Sequence, residues 1–131
     1  MALNRQQLSE LEQQLGAMEQ DSARELRKDI RQSEATESFN QVAGEAPDAG
    51  DRSVADLTSD LEAADIARHG GALEDVVAAR ARIADGSYGV CIDCDGDIGF
   101  ERLRANPVAL RCIRCQERYE KTHEGAGRPT L

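Results

Sequence analysis

All four cysteines of the chain lie in its C-terminal third, as Cys91-x2-Cys94 and Cys112-x2-Cys115, with seventeen residues between the pairs. A C-x2-C turn lets one knuckle offer two thiolates to a single ion, and two knuckles complete the tetrahedron that Zn²⁺ prefers. Met1 to Leu15 has none of the basic-then-apolar order of a secretory signal, so the expected compartment is the cytoplasm, where such spacing reads as metal ligation before disulfides. Two such motifs would be redundant for dithiol redox chemistry, and no His or carboxylate is spaced to activate a metal-bound water. One structural Zn²⁺ held by Cys91, Cys94, Cys112 and Cys115 is therefore expected, supplying folding free energy directly. Four thiolates around Zn²⁺ leave a formal charge of −2, and Arg111 and Arg114, on either side of Cys112, are candidates to offset it. His69 and His123 stand isolated and read as solvated helix residues.

The rest of the chain cannot build a large core. With no Trp, two Phe and two Tyr in 131 residues, and with Ala, Glu, Gln, Arg and Leu dominant, it carries the bias of long solvated helices. Residues 5–42 contain no Pro, and Leu8, Leu11, Leu15 and Met18, then Leu26, Ile30, Phe39 and Val42, recur at helical intervals. A second segment from about Ser53 to Asp85 carries Val54, Leu57, Leu61 and Ala64, then Leu73, Val76 or Val77, and Ile83. Each stripe is too narrow to bury itself, so the two are expected to face one another across a breaker cluster at Gly44–Asp51. Gly70-Gly71 costs about 2 kcal/mol relative to two alanines and predicts a soft point. Polar seam positions such as Ser22 and Ser33 weaken the pairing further.

The predicted fold is mainly α: an antiparallel coiled-coil helical hairpin on a small C4 zinc-finger globule with a short C-terminal helix. The expected division is a hairpin over 1–86 with its tip near 44–52, then a zinc module over 87–131 with a helix at 116–124 and a frayed tail at 125–131.

Net charge is −9, yet from Tyr88 onward seven acidic residues meet seven basic ones, so the whole excess lies in residues 1–87. Duplex binding rests on Lys and Arg displacing counterions from phosphates, which this balance disfavours; a basic protein surface is the better partner. No run reaches the ~20 apolar residues of a membrane span. At the hairpin turn, Asp48 and Asp51 place two carboxylates. They are open to two readings: capping, with Asp51 or Ser53 as N-cap of the second helix and Asp48 capping a short turn, or a functional acidic tip.

The run Tyr88-Gly89-x-Cys91-x2-Cys94-x3-Ile98-Gly99-x2-Arg102-Leu103-x-Ala105-x-Pro107-x-Ala109-x2-Cys112-x2-Cys115 resembles the DksA/TraR C4-type zinc-finger family, and Asp48-x2-Asp51-x-Ser53 resembles that family's Asp-x2-Asp-x-Ala tip signature. The resemblance implies a non-enzymatic transcription regulator. Members of the family bind in the secondary channel of RNA polymerase and push the hairpin tip toward the active site, altering open-complex stability. It assigns that tip to Asp48, Asp51 and Ser53, the last a departure that adds a hydroxyl where the family has Ala. It also aligns Asp75, Asn106 and Gln116 with basic residues that help hold the alarmone ppGpp, which implies weak or absent ppGpp synergy. Asp95 stands where a knuckle usually has Gly, a left-handed position Asp tolerates. The expected partner is core or holoenzyme polymerase, bound by a monomer without sequence-specific DNA contact. The alternatives are a coiled-coil adaptor with no transcriptional role and a sequence-specific DNA-binding zinc finger.

Overall fold

The computed structural model describes residues 2–43 and 49–123. Among them the chain forms four helices, α1 (Arg5–Ala43), α2 (Ala49–Asp85), α3 (Phe100–Ala105) and α4 (Ile113–Thr122), with one isolated antiparallel bridge between Val90 and Asp97. The long helices α1 and α2 make the expected hairpin. The predicted tail at 125–131 lies outside the described residues.

Helix α1 starts on a reciprocal cap. Asn4 Oδ1 accepts from the Gln7 amide at 2.8 Å, and Gln7 Oε1 accepts from the Asn4 amide at 3.1 Å, so two otherwise unpaired N–H groups are satisfied together. Helix α2 begins at Ala49, earlier than the breaker cluster suggested. Asp51 and Ser53 therefore lie inside its first turns rather than ahead of them, which removes the reading of either as its N-cap. The helix runs unbroken through Gly70-Gly71 and stops at Gly86, whose φ of +85° is the left-handed conformation that ends helices. There the Asp85 carboxylate accepts from the Ser87 hydroxyl at 2.6 Å and the Ser87 amide at 2.9 Å. Those two donors hold the Asp85 carboxyl below its ordinary pKa.

By packing, the chain divides into two compact units, Met1–Gly16 with Val76–Leu131, and Ala17–Asp75. The first turns of α1 and the last turns of α2 thus group with the cysteine-bearing segment, where the sequence reading had drawn its line between residues 86 and 87.

The first unit holds the hydrophobic core. Leu11 and Leu15 from α1, Val76 and Ala79 from α2, and Tyr88, Cys91, Ile98, Leu103, Ala109 and Cys115 are all buried. Polar contacts fix the same elements. Gln14 Nε2 donates to the Arg104 carbonyl at 3.0 Å, and the Tyr88 hydroxyl donates to the Pro107 carbonyl at 2.7 Å. Burial pushes the Tyr88 phenol up to about 12. Gly89 has a φ of +88°, and a Cβ there would stand 3.2 Å from Leu3 Cδ1. Only glycine meets both conditions comfortably.

In the second unit α1 and α2 run antiparallel. Thr36 Oγ1 donates to Glu62 Oε2 at 2.8 Å; seven residues back along α1, Asp29 meets His69, seven residues on along α2. This overturns the bland reading of His69, whose side chain is only 24% exposed beside its carboxylate partner. It also overturns the expected seam. Val54, Leu57 and Leu61 are 66%, 59% and 59% exposed, and Phe39 and Val42 also face outward. The reason lies in helical continuity. Steps of three and four from Leu11 and Leu15 reach Met18, Ser22, Leu26, Asp29, Ser33, Thr36 and Asn40; steps back from Val76 reach Leu73, His69, Ile66, Glu62, Thr58 and Ala55. At 100° per residue the row Val54-Leu57-Leu61 lies roughly a quarter turn or more away from that face.

Candidate metal centre and the acidic turn

The first knuckle is built by backbone. The Cys91 amide donates to the Gly96 carbonyl at 2.7 Å and the Ile98 amide to the Gly89 carbonyl at 2.8 Å, around a turn in which Asp95 takes a φ of +60°. Asp95 is the one non-glycine residue with positive φ among those described, as the departure from Gly led us to expect. The second knuckle joins the first before any side chain is considered, since the Ile92 amide donates to the Leu110 carbonyl at 3.0 Å. Cys112 then occupies the N-cap position of α4 and Cys115 its first turn, so this helix begins three residues earlier than predicted.

These elements gather the four sulfurs within 4.8 Å of one another, with Cys94 Sγ and Cys112 Sγ 3.9 Å apart. Four sulfurs each about 2.3 Å from one ion at tetrahedral angles stand about 3.8 Å apart, so the donor set fits a single Zn²⁺. Cys91 and Cys115 are buried while Cys94 is exposed. Their protons are held unequally. Burial opposes ionisation of Cys91, but backbone N–H groups of Cys112, Cys94 and Asp93 outweigh it and bring the thiol to about 6. The Cys115 amide is the main cause that lowers Cys112. Cys115 is pushed up to about 12, by burial first and then by the Cys112 thiol. A divalent ion ligates all four as thiolates and so must displace the Cys115 proton.

Four arginines lie near the knuckles in sequence, and they are placed differently. The Arg111 guanidinium donates from Nε to Asp93 Oδ2 at 2.8 Å and lies 3.9 Å over the Tyr119 ring, linking the first knuckle to α4. Its backbone carbonyl accepts from Arg102 Nε at 2.7 Å. Arg114 is exposed. The arginine that reaches a sulfur is Arg118, whose Nη2 lies 3.2 Å from Cys115 Sγ. Sequence reading passed over it, yet its place three residues after Cys115 on a helix was the available signal. His123 closes α4 stacked on Tyr119, with centroids 4.0 Å apart.

Of the acidic-turn residues, Asp48 lies outside the described residues. Asp51 falls in the first turn of α2, and Ser53 is exposed on the same helix. Asp75 is exposed on α2, Asn106 follows α3, and Gln116 on α4 donates to Glu120 at 2.8 Å.

The model of the prokaryotic dksA/traR C4-type zinc finger matches residues 86–121. Over 120 residues the chain is 32% identical to the RNA polymerase-binding transcription factor DksA of Caulobacter vibrioides, in strain NA1000 / CB15N and equally in strain ATCC 19089 / CIP 103742 / CB 15. That alignment covers 91% of this chain and 80% of each relative. Among solved structures, transcription factor DksA2 from Pseudomonas aeruginosa shares the fold, with a TM-score of 0.77 at 22% identity over 92% of this chain and 88% of that one.

Proposed function

Because the chain belongs to the DksA/TraR family of C4 zinc-finger proteins, we propose that it is a transcription regulator that binds RNA polymerase through the secondary channel and carries Asp48 and Asp51, with Ser53 beside them, toward the active site to modulate initiation. The observation that carries this reading is the 32% identity to an RNA polymerase-binding factor along nearly the whole chain, hairpin segment included. Charge supports it. Residues 17–75 hold fifteen acidic and six basic residues, a net of −9, while the remaining residues balance to zero. An acidic hairpin suits a channel lined by basic side chains or cations and is repelled by the phosphates of a duplex.

On this reading the protein acts in the cytoplasm as a monomer, makes no sequence-specific DNA contact and catalyses no reaction. Its zinc module holds the fold while the hairpin turn regulates. Asp75, Asn106 and Gln116 supply no cation for a polyphosphate, so ppGpp adds little to its effect. No helix among the described residues is long and apolar enough to cross a membrane.

The test is the lifetime of open complexes at a ribosomal promoter with the wild-type chain and with Asp48→Asn/Asp51→Asn. Wild type should shift the lifetime and the double variant should not, while both co-elute with core polymerase. Equal activity of the two would remove the carboxylates from the mechanism; failure of the wild-type chain to co-elute would favour a non-transcriptional coiled coil.

A further inference from the structure

We infer that Arg118 governs how long the tetrathiolate centre keeps its metal, by donating a charged hydrogen bond to Cys115 Sγ. The geometry is specific to this side chain. Cys115 is 2% exposed, so water has little access to its sulfur, and the guanidinium Nη2 at 3.2 Å provides a donor in its place. Arg118 is positioned by α4 itself, on which Cys115 is the third residue and Arg118 the sixth. Arg111, the cation beside Cys112, is committed elsewhere, held between Asp93 and the Tyr119 ring. The first knuckle adds Asp93, Asp95 and Asp97, so the −2 of a zinc tetrathiolate sits in an acidic stretch of chain.

An N–H donor on a metal-bound thiolate withdraws electron density from the sulfur and lowers its basicity, so a proton competes less well with the metal for that ligand. It also neutralises part of the cluster's excess charge. Both effects slow detachment of Cys115, the ligand whose sulfur the guanidinium meets. Arg118 is thus a positioning and charge-balancing residue for the centre, not a ligand, and metal exchange is the property it sets.

The experiment compares the full-length, zinc-loaded chain with Arg118→Gln, Arg118→Lys and Arg114→Gln, following zinc transfer to a chromogenic chelator at neutral pH. Arg118→Gln should release zinc roughly tenfold faster or more, the range typical for loss of a partner outside the ligands. Arg114→Gln, the same charge change at the residue just before Cys115, should stay within about twofold of wild type, and Arg118→Lys should fall between. Cobalt substitution gives a readout independent of stability: the sulfur-to-cobalt charge-transfer band should move to longer wavelength in Arg118→Gln and stay put in Arg114→Gln. Equal release from Arg118→Gln and Arg114→Gln, or an unmoved band, would overturn the inference. If Arg118→Gln fails to fold with zinc bound, the cobalt band of Arg118→Lys, expected at an intermediate position, decides it.

Discussion

The two units of this chain are made from the same helices yet held by different physics. In Met1–Gly16 with Val76–Leu131, buried leucines, a valine, a buried tyrosine and a cysteine cage share one neutral core. In Ala17–Asp75 the same two helices meet through Thr36–Glu62 and Asp29–His69, turn Phe39, Leu57 and Leu61 outward, and carry the entire net charge of −9. All ten residues of the described hydrophobic core belong to the first unit. Stability in this molecule is therefore expected to be concentrated rather than shared, since a polar seam adds little net free energy beyond satisfying its own groups.

The largest test of that contrast is removal of the metal. Cys94→Ser, Cys112→Ser or a strong chelator should unfold the knuckles and strip hydrogen-exchange protection from Val90, Cys91, Ile98 and Leu103, and from Leu11, Leu15, Val76 and Ala79, because structural zinc supplies folding energy on the order of 10 kcal/mol. Amides of residues 22–36 should change far less. An equal loss in both units would erase the distinction. The same centre sets a pH dependence. Zn²⁺ competes with protons for thiolates, so affinity should climb as pH rises, steadily through neutrality, with Cys91 ionised above about 6 and Cys115 still giving up its proton until about 12. A competition titration between pH 6 and 9 that showed a flat affinity would contradict this.

Next in size is a pair of truncations. Leu15→Ala, at a residue 0% exposed, should cost about 3 kcal/mol in chemical denaturation, whereas Leu57→Ala, 59% exposed, should stay within about 0.5 kcal/mol. Similar costs would mean that the outward row is buried in solution. Third, Gly70→Ala/Gly71→Ala should stabilise by about 2 kcal/mol, as neither new Cβ meets an atom within 4 Å. The smallest effect sharpens the picture of the seam. Asp29→Ala should cost about 1 kcal/mol by leaving His69 without its partner, and Asp29→Leu/His69→Leu should recover that loss or exceed it. A double variant weaker than the single would show that the polar seam is itself a source of strength.

How much of this was legible depended on how local the determinant was. The knuckles are short-range objects, so Cys91-x2-Cys94, Cys112-x2-Cys115 and even the left-handed Asp95 could be read from adjacent residues. Leu11, Leu15 and Val76 were legible because apolar period and burial coincide there. The row Val54-Leu57-Leu61 misled because periodicity reports that a stripe exists and leaves open which stripe faces the partner helix; the face was set some twenty residues away, by Val76 and Ala79. His69 was not legible because its partner Asp29 is forty residues distant, and Arg118 because it lies one helical turn beyond Cys115 rather than beside a cysteine in sequence. The Asn4–Gln7 cap could have been found, since both residue types are favoured in that motif.

The contact between Leu3 and Gly89 reaches further than its size suggests. Leu3 also lines, with Leu8, Ile83 and Tyr88, a hollow of about 230 Å³. The cap residue Asn4 follows it directly. Trimming four residues from the front of the chain would thus uncork this hollow and untie the start of a 39-residue helix in one cut, so a shortened version would sacrifice more than its length implies.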